Sequence, residues 1–338
     1  MTPPKLMITG SFPPEVCGVG DYTSKLLKAD KNNEYILFHK TNWSLKKFFE
    51  YIKEISKTKP RAIFLQYPTE GYGWSLLPQL LCVYFSLFTK IQFNVVLHEL
   101  SNRTTKAKFA SYPFRFSNKC IFTTEYEREY AIKHFFNKKK CFTIPIISNI
   151  PKSNNKLSFE DRKFDLVYFG HIRPNKGLED WLETSIDLYK SGIISGSLII
   201  GQIPKGYEDY VQSLKQYSFG ANIQWIHNLS EVQVADYLSN CKIAFLPFPD
   251  GVSERRGSFL AALNNEVIPV TYSGKYLTNR LTAVSYITDK NHAKDTISKI
   301  LRQMNAINFK KFLAAANSYL TDYLPTDWKD VLSKYNKL

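Results

Sequence analysis

Two short segments place cations beside glycines: GHIRPNKGLED carries Arg173 and Lys176, and DGVSERRGSFLAAL carries Arg255 and Arg256. Each segment follows an apolar run typical of a buried strand and precedes a helical pattern. Backbone N–H groups at a helix start attract phosphate, and arginine or lysine adds a full positive charge there. The two segments therefore predict a site for a phosphate-bearing ligand, with the cations as donors to a diphosphate.

Each segment also has a plainer interpretation. Arg173 and Lys176 are equally well explained, taken alone, as solvated loop cations. Arg255 and Arg256 are harder to explain that way, because cations are unfavourable at the N-terminus of a helix unless an anion binds there. Gly257 permits close backbone approach and Ser258 is suited to the N-cap position, so the second segment favours a ligand site.

The elements that must position these residues alternate between short β-rich runs and helical patterns. The first part contains the strand candidates KLMITG, EYILFH, RAIFLQY, IQFNVVLHE, KCIFTT and CFTIPI, and the second part contains FDLVYFG, GSLIIG, ANIQWIH, KIAFLP, VIPVTY and AVSYIT. Such alternation predicts two parallel sheets covered by helices. The polar stretch SNIPKSNNKLSFEDRK separates them as a linker, and Thr124 with Glu127 predicts a capping box.

Length and composition indicate a globular protein. The chain has 338 residues, of which 44% are hydrophobic, and this fits two domains of about 150 residues. We expect neither a signal peptide nor a membrane-spanning helix, because the longest apolar stretch, WSLLPQLLCVYFSLF, is short and contains Pro78 and Gln79. The five scattered cysteines have no metal-ligand or redox spacing. These features predict a cytoplasmic location and no metal site.

The positive charge is unevenly distributed. Residues 1–150 carry 22 Lys and Arg against 11 Asp and Glu, a net of +11, whereas residues 151–338 carry only +4 of the total of +15. The segments SLKKFFEYIKEISKTKPR and HFFNKKK mix lysines with aromatics, which suits an anionic membrane surface or a lipid-diphosphate acceptor. A solubilising lysine-rich face is the alternative. No nucleic-acid recognition motif is present.

Several motifs together resemble the retaining glycosyltransferases of family four. They are SFPPEVCGVGDYTSKL, LHE at 97–99, IPIISNIP, FGHIRPNKGLE, DGVSERRGSFLAAL with IPVTY, and PTDWKDVLSKY near the C-terminus. The resemblance covers the whole chain and implies an α/β protein of the GT-B fold, with two facing Rossmann-like domains and a cleft between them. It implies an acceptor domain over 1–150, a nucleotide-sugar domain over 151–320, and a last helix over 321–338 that crosses back to the first domain.

The resemblance also implies roles for individual residues. His98 contacts the donor sugar, and Arg173 and Lys176 hold the donor diphosphate. The remaining implied donor-binding residues are Gly18, Gly20, Ser253, Arg255, Arg256, Gly257 and Ser258. The G-x-G pattern of Gly18 and Gly20 resembles the family's glycine loop after the first strand, and a plain turn is the alternative. The family pattern is broken at His171, where arginine is common, and at Ser253 and Ala261, which occupy the positions of two family glutamates. The segment S-x-R-R-G-S is typical of a subgroup with this variant site.

The activity implied is transfer of a sugar from a nucleotide-diphosphate sugar to a hydroxyl of a glycan or lipid-linked glycan, with retention. No D-x-D pair is present, so we expect cations to replace a metal ion, and we expect no cofactor beyond the donor. A GT-B epimerase, a phosphorylase or a non-catalytic partner subunit remains an alternative, as does a basic protein that binds nucleic acid or membranes. The sequence specifies neither base, sugar nor acceptor.

Overall fold

The computed structural model describes residues 3–15, 17–134 and 136–338. The chain forms two compact units. The first comprises residues 1–146 together with 325–338, and the second comprises residues 147–324.

The first unit contains a parallel sheet of six strands in its described part. The strands are β1 (Lys5–Thr9), β2 (Tyr35–His39), β3 (Ala62–Tyr67), β4 (Gln92–Leu97), β5 (Lys119–Phe122) and β6 (Cys141–Thr143). Their order is β2-β1-β3-β4-β5-β6, so the chain turns in opposite directions after β1 and after β3. All six strands predicted for this part of the sequence are confirmed.

Helices cover both faces of this sheet. They are α1 (Gly18–Ala29), α2 (Phe48–Lys57), α3 (Leu77–Phe88), α4 (Thr105–Ser111), α5 (Glu125–Lys133) and α13 (Trp328–Lys337). Short 3₁₀ helices occupy Leu45–Lys47, Glu70–Tyr72, Tyr112–Phe116 and Lys138–Lys140. Helices α1 and α13 pack together, with the Tyr22 hydroxyl 3.1 Å from that of Tyr335. The other helices bury apolar side chains in a separate core that includes Tyr51, Leu81 and Phe114.

The second unit repeats the architecture with a different strand order. Its strands are β7 (Phe164–Phe169), β8 (Ser197–Gly201), β9 (Ile223–His227), β10 (Cys241–Leu246), β11 (Ile268–Tyr272) and β12 (Tyr286–Thr288). They lie in the order β12-β11-β10-β7-β8-β9, and every pairing is parallel. This is the order of a dinucleotide-binding sheet, and the six strands predicted for this part are confirmed.

The helices of the second unit bury an apolar core against the sheet. They are α6 (Leu178–Lys190), α7 (Glu208–Tyr217), α8 (Glu231–Ser239), α9 (Gly257–Asn264), α10 (Asn279–Thr282), α11 (Ala293–Gln303) and α12 (Ala306–Asp322). Strand β7 reads as an apolar run because both of its faces are covered, and Trp181 of α6 is fully buried beside it. The prediction of an α/β protein with two doubly wound parallel sheets is confirmed.

One local prediction in the first unit is only half right. The Thr124 side chain accepts a hydrogen bond from the Glu127 N–H, as an N-cap should. The Glu127 carboxylate does not return to the cap, however. It accepts from the backbone N–H groups of Leu100 and Ser101 at 2.9 and 2.8 Å. This carboxylate is 1% exposed and fixes the loop that follows β4.

The longest apolar stretch of the sequence forms α3, a helix of 12 residues. Within the described ranges, no helix is long and apolar enough to cross a bilayer.

Candidate anion-binding site

The two cationic segments leave neighbouring strands of the second sheet. Strand β7 pairs directly with β10, and both end at the same edge because the sheet is parallel. After β7 the chain proceeds to β8 on one side, and after β10 it proceeds to β11 on the other. Ligands of open α/β sheets bind at such a reversal of direction, outside the carboxyl ends of the strands. The loops bearing Arg173 and Arg256 therefore flank the place where the fold favours a ligand.

Glycines let these loops approach closely. Gly177 has φ +79°, and a Cβ there would lie 1.9 Å from the carbonyl oxygen of Pro247. Gly251 has φ +82°, and a Cβ there would lie 2.5 Å from the Cα of Gly274, in the loop after β11. The loops after β7, β10 and β11 are thus packed backbone to backbone, and a side chain at either glycine would separate them.

Arg256 is held in place on two sides. Its guanidinium forms an ion pair with Asp250 and lies 4.6 Å from the ring centroid of Phe248. Arg255 lies 5.6 Å from the ring centroid of Tyr276. Both arginine side chains are half-buried. Stacking on aromatic rings and pairing with Asp250 limit their conformations, which reduces the entropy lost when an anion binds.

The loop after β7 is fixed from beneath by Tyr168. Its buried hydroxyl lies 3.4 Å from the carbonyl oxygen of His171 and 3.3 Å from that of Lys176, and it donates to this pair. Burial raises the pKa of Tyr168, and the charges of Arg173 and Arg256 act in the opposite direction. The two loops themselves meet where Gly177 lies against the carbonyl oxygen of Pro247.

Arg173 and Lys176 both lie in the loop between β7 and α6. Both side chains are half-buried. Across the described ranges, no residue forms an ion pair or hydrogen bond with the Arg173 guanidinium. Because no described carboxylate pairs with it, the Arg173 guanidinium keeps its N–H donors for an anion.

The start of α9 differs from the prediction. The helix begins at Gly257, with Arg256 at the N-cap position, so Ser258 is already the second helical residue and the prediction of a Ser258 cap is wrong. The Arg256 backbone is extended, with ψ 105°, which ends the loop two residues earlier than the serine suggests. No side chain in the described part of the chain caps this helix, and its first turn has no acidic residue. Its first N–H groups therefore point to the loop without a protein acceptor.

Helix α6 begins very differently. Its first turn contains Glu179 and Asp180, which already complement the positive end of the helix. The Tyr210 hydroxyl donates to Glu179 at 2.5 Å, and Lys290 pairs with Asp180 at 2.9 Å. Two fixed carboxylates oppose a further anion at this helix end. The start of α9 is consequently the better place for a phosphate group.

Ser253 lies in the loop between β10 and α9 with its side chain 2% exposed. Among the described residues, none accepts or donates a hydrogen bond to its hydroxyl. A buried hydroxyl without a partner costs about 1–3 kcal/mol, and a ligand oxygen would remove that cost. Ser253 joins Arg255, Arg256, Gly257 and Ser258 in one short loop and helix start.

The resemblance implies glutamates at the positions that Ser253 and Ala261 occupy. Ala261, at the position of one of them, is fully buried in α9. Glu254 forms an ion pair with Arg280 at 3.0 Å, and Glu266 pairs with Lys152 at 2.8 Å. Both nearby carboxylates are thus occupied by basic residues of the same unit.

His98 lies in the first unit, directly after β4. Its Nε2 lies 2.9 Å from Oε1 of Gln66, close enough for the ring N–H to donate to the amide. The Tyr22 ring packs edge-on against the imidazole, with the centroids 5.0 Å apart. Gln66 is fully buried in the apolar strand β3. The imidazole is therefore oriented from two sides and is half-buried.

The G-x-G pattern predicted a loop at Gly18 and Gly20, but both glycines lie in a helix. They are the first and third residues of α1, and the loop after β1 ends before them. A Cβ at Gly20 would lie 2.9 Å from the carbonyl oxygen of Ser11, whereas one at Gly18 would meet nothing within 4 Å. The pattern was misplaced because Gly18 and Gly20 adopt helical backbone angles. Only Gly20 is required for close packing.

Sequence reasoning missed Asp250 and Gln66, and it assigned Glu127 the wrong partner. Gln66 interrupts the apolar run AIFLQY, and a polar residue in a buried strand is a signal that it serves another group. Asp250 precedes Arg256 by only six residues, in a turn sequence. The partners of Glu127 come from a different element, so no local pattern revealed them.

The described residues contain no group of three or more His, Cys, Asp or Glu that could hold a metal ion. No protein-family model matches the sequence. No curated protein matches it either.

Solved structures do resemble the chain. HepE from Anabaena, solved in complex with UDP and glucose, has a TM-score of 0.72 at 11% identity, and the match covers 98% of this chain and 99% of HepE. Sucrose-phosphate synthase from Thermosynechococcus elongatus has a TM-score of 0.71 at 14% identity, covering 99% of this chain and 97% of the synthase.

A third match is the pneumococcal O-GlcNAc transferase GtfA in complex with UDP and GlcNAc. Its TM-score is 0.62 at 13% identity, and the match covers 86% of this chain but 59% of GtfA. At such identities the likeness concerns the fold alone. The chain therefore has the fold of these glycosyltransferase structures, which confirms the predicted GT-B fold class.

Proposed function

We propose that the protein is a glycosyltransferase that uses a nucleotide-diphosphate sugar as donor. The observation that carries the proposal is that two cationic loops leave the neighbouring strands β7 and β10 at the strand reversal and touch where Gly177 lies against Pro247. Arg173 and Lys176 belong to one loop, and Arg255 and Arg256 to the other. The UDP complexes of HepE and GtfA support a nucleotide diphosphate as the ligand class.

The chemistry follows from the charge that develops on the leaving diphosphate. Cleavage of the bond to the sugar transfers negative charge to the phosphate oxygens, and oriented donors stabilise that charge. Arg256, the N–H groups of Gly257 and Ser258, and the Ser253 hydroxyl supply such donors at one end. Arg173 and Lys176 supply positive charge at the other. Their combined charge is the basis for proposing that transfer needs no divalent ion and no cofactor.

The first unit would hold the acceptor. His98 is oriented by Gln66 and Tyr22, and an oriented imidazole is suited to contact a sugar hydroxyl. Gly18 and Gly20 bring the start of α1 to the carboxyl end of β1, where its N–H groups face the loop. The acceptor would be a hydroxyl of a glycan or lipid-linked glycan, and transfer would proceed with retention at the anomeric carbon.

The basic surface of residues 1–150 supports a peripheral position at an anionic membrane on the cytoplasmic side. A lipid-linked acceptor would then reach the protein from the bilayer.

Incubation with a panel of nucleotide sugars tests the proposal. The expected result is slow release of free nucleotide diphosphate from one donor of the panel, with little release from the others. Release is slow because water takes the place of the acceptor. A binding protein or an inactive partner subunit would bind a donor without releasing nucleotide. An epimerase would convert the sugar while the nucleotide stays attached, which product chromatography distinguishes.

A further inference from the structure

Helix α3 presents an apolar stripe to solvent. Leu77, Leu81 and Phe85 face the core, as expected for a helix that covers a sheet. Four other apolar side chains are exposed along the same helix and its start, at helical spacing: Leu76, Leu80, Leu87 and Phe88. Phe88 is 73% exposed. A helix with one face in the core ordinarily carries polar residues on the other, so this second apolar face needs an explanation.

The stripe continues onto the neighbouring helix. The Phe88 ring lies 6.0 Å from that of Tyr84, the Tyr84 ring lies 6.0 Å from that of Phe48, and Phe48 lies 5.3 Å from Phe49. Phe49, on α2, is 79% exposed. Trp74 precedes α3 and is 84% exposed. The apolar surface therefore spans two helices and ends in large aromatic side chains.

Basic residues lie on both sides of this stripe. The 3₁₀ helix Tyr112–Phe116 packs against α3 on one side and follows α4. The segment 103–119 contains five Lys and Arg and no Asp or Glu, and it exposes Phe109 and Phe116. Helix α2 also contacts α3, and Lys53 of α2 and Lys46 of the 3₁₀ helix before it are exposed. Residues 45–57 contain four Lys and two Glu. The arrangement is an apolar centre with a cationic, aromatic border.

We propose that this surface, the stripe of α3 with its borders on α2 and the segment 103–119, inserts into the headgroup region of an anionic bilayer. Aromatic and aliphatic side chains would enter the boundary between headgroups and acyl chains, and lysines and arginines would pair with lipid phosphates. The proposal identifies the surface by which a lipid-linked acceptor would be approached, and in that respect alone it rests on the proposed function.

Charge complementarity favours a bilayer over a second copy of the chain. A two-fold dimer through this surface would place each copy against the same surface of its partner. The cationic border of one copy would then face that of the other, which opposes association. An anionic bilayer would remove the apolar centre from water and place lipid phosphates against the cationic border.

Vesicle flotation with the full chain tests the proposal. The wild type should bind vesicles of phosphatidylglycerol and phosphatidylcholine and should not bind pure phosphatidylcholine. The double variant L87D/F88D should reduce the partition coefficient by roughly 100-fold, since two large exposed side chains no longer leave water. The variant K46E/K53E/K106E/R115E should bind weakly at low salt, and its difference from wild type should shrink as salt rises.

Matched controls separate this surface from general effects. Phe219 and Ile307 are 94% and 68% exposed in the second unit, and F219D/I307D should bind vesicles as the wild type does. Brominated lipids should quench the tryptophan fluorescence of the wild type, and they should quench the fluorescence of W74F less. Thermal unfolding of L87D/F88D should match the wild type, because both side chains are exposed.

Three outcomes would overturn the proposal. The first is that the wild type does not bind anionic vesicles at low salt, and the second is that L87D/F88D binds them as strongly as the wild type. The third is sedimentation of the wild type as a dimer that L87D/F88D converts to a monomer, which would assign the stripe to a contact between copies. Calorimetric titration with a nucleotide sugar in the absence of vesicles tests the donor site separately, so the two proposals can fail independently.

Discussion

The two sheets have the same parallel architecture, yet the loops at their carboxyl ends differ in the charged residues they contain. In the first unit the loops after β1, β3 and β4 contain Glu15, Glu70 and Glu99. In the second unit the loops after β7 and β10 contain Arg173, Lys176, Arg255 and Arg256. The half of the sequence with the larger net charge, +11 against +4, is therefore not the half in which two neighbouring strands, β7 and β10, are each followed by two basic residues.

The contrast separates two uses of positive charge. Lysines of the first unit are spread over helices and turns, where they act together on a surface and are screened by salt. Arg255 and Arg256 of the second unit are half-buried and held by Asp250, Phe248 and Tyr276. A net charge thus indicates a partner surface, whereas a specific anion site depends on a few oriented donors.

The largest expected effect comes from the oriented donors. Arg256→Ala and Lys176→Ala, made separately, should each lower transfer about 100-fold or more, because removing a donor to a developing anion costs roughly 2.7–4 kcal/mol in a dry site. Initial-rate assays with the identified donor would measure this. Arg302, exposed at the end of α11, supplies the matched control, and Arg302→Ala should be as active as wild type. Equal rates in all variants would remove the diphosphate assignment.

His98→Ala should have a smaller effect and one of a different kind. Loss of a sugar contact should reduce kcat/KM roughly 30-fold, equivalent to about 2 kcal/mol, while affinity for free UDP stays unchanged. Gln66→Ala should follow the same pattern more weakly, because Gln66 acts through the imidazole. A parallel loss of UDP affinity in His98→Ala would show that the histidine binds the phosphates and would weaken the contrast between the units.

Ser253→Ala separates ligand binding from folding. The hydroxyl has no partner among the described residues, so its removal should leave the melting temperature unchanged or slightly raised. Nucleotide-diphosphate affinity should fall about 10-fold, equivalent to about 1.4 kcal/mol. Calorimetry and thermal unfolding on the same sample provide both values. A lowered melting temperature with intact affinity would make Ser253 a structural residue.

The smallest expected change follows removal of divalent ions. If the cationic loops replace a metal, transfer should be unchanged in excess EDTA. Inhibition by EDTA that Mg²⁺ or Mn²⁺ reverses would show that the four basic residues do not suffice.

Element type and order were predictable from sequence because the buried strands leave strong local signals. KLMITG and FDLVYFG are apolar runs between turn residues, and the helices between strands force parallel pairing. Strand order was not predictable in this way. It places β7 beside β10, and only that neighbourhood brings Arg173 and Arg256 together.

The details of the site depended on contacts between distant segments. Ser258 fits a cap by type, but the extended backbone of Arg256 starts the helix two residues earlier. Glu127 fits a capping box by spacing, but two N–H groups after β4 bind its carboxylate instead. In both cases the prediction used only the neighbouring residues in sequence. The actual role depends on a backbone angle at another residue or on a contact with another element.

The most direct test of the contrast between the units is calorimetric titration of UDP, or of whichever nucleotide diphosphate the donor panel identifies. Two variants are compared with wild type: Arg256→Ala, and a charge reversal of Lys46, Lys47, Lys138, Lys139 and Lys140 to Glu. The account predicts that Arg256→Ala weakens binding by about 100-fold and that the five-lysine reversal leaves the Kd unchanged at moderate salt. It is contradicted if the lysine reversal weakens binding as much as Arg256→Ala does, or if no nucleotide diphosphate binds the wild type.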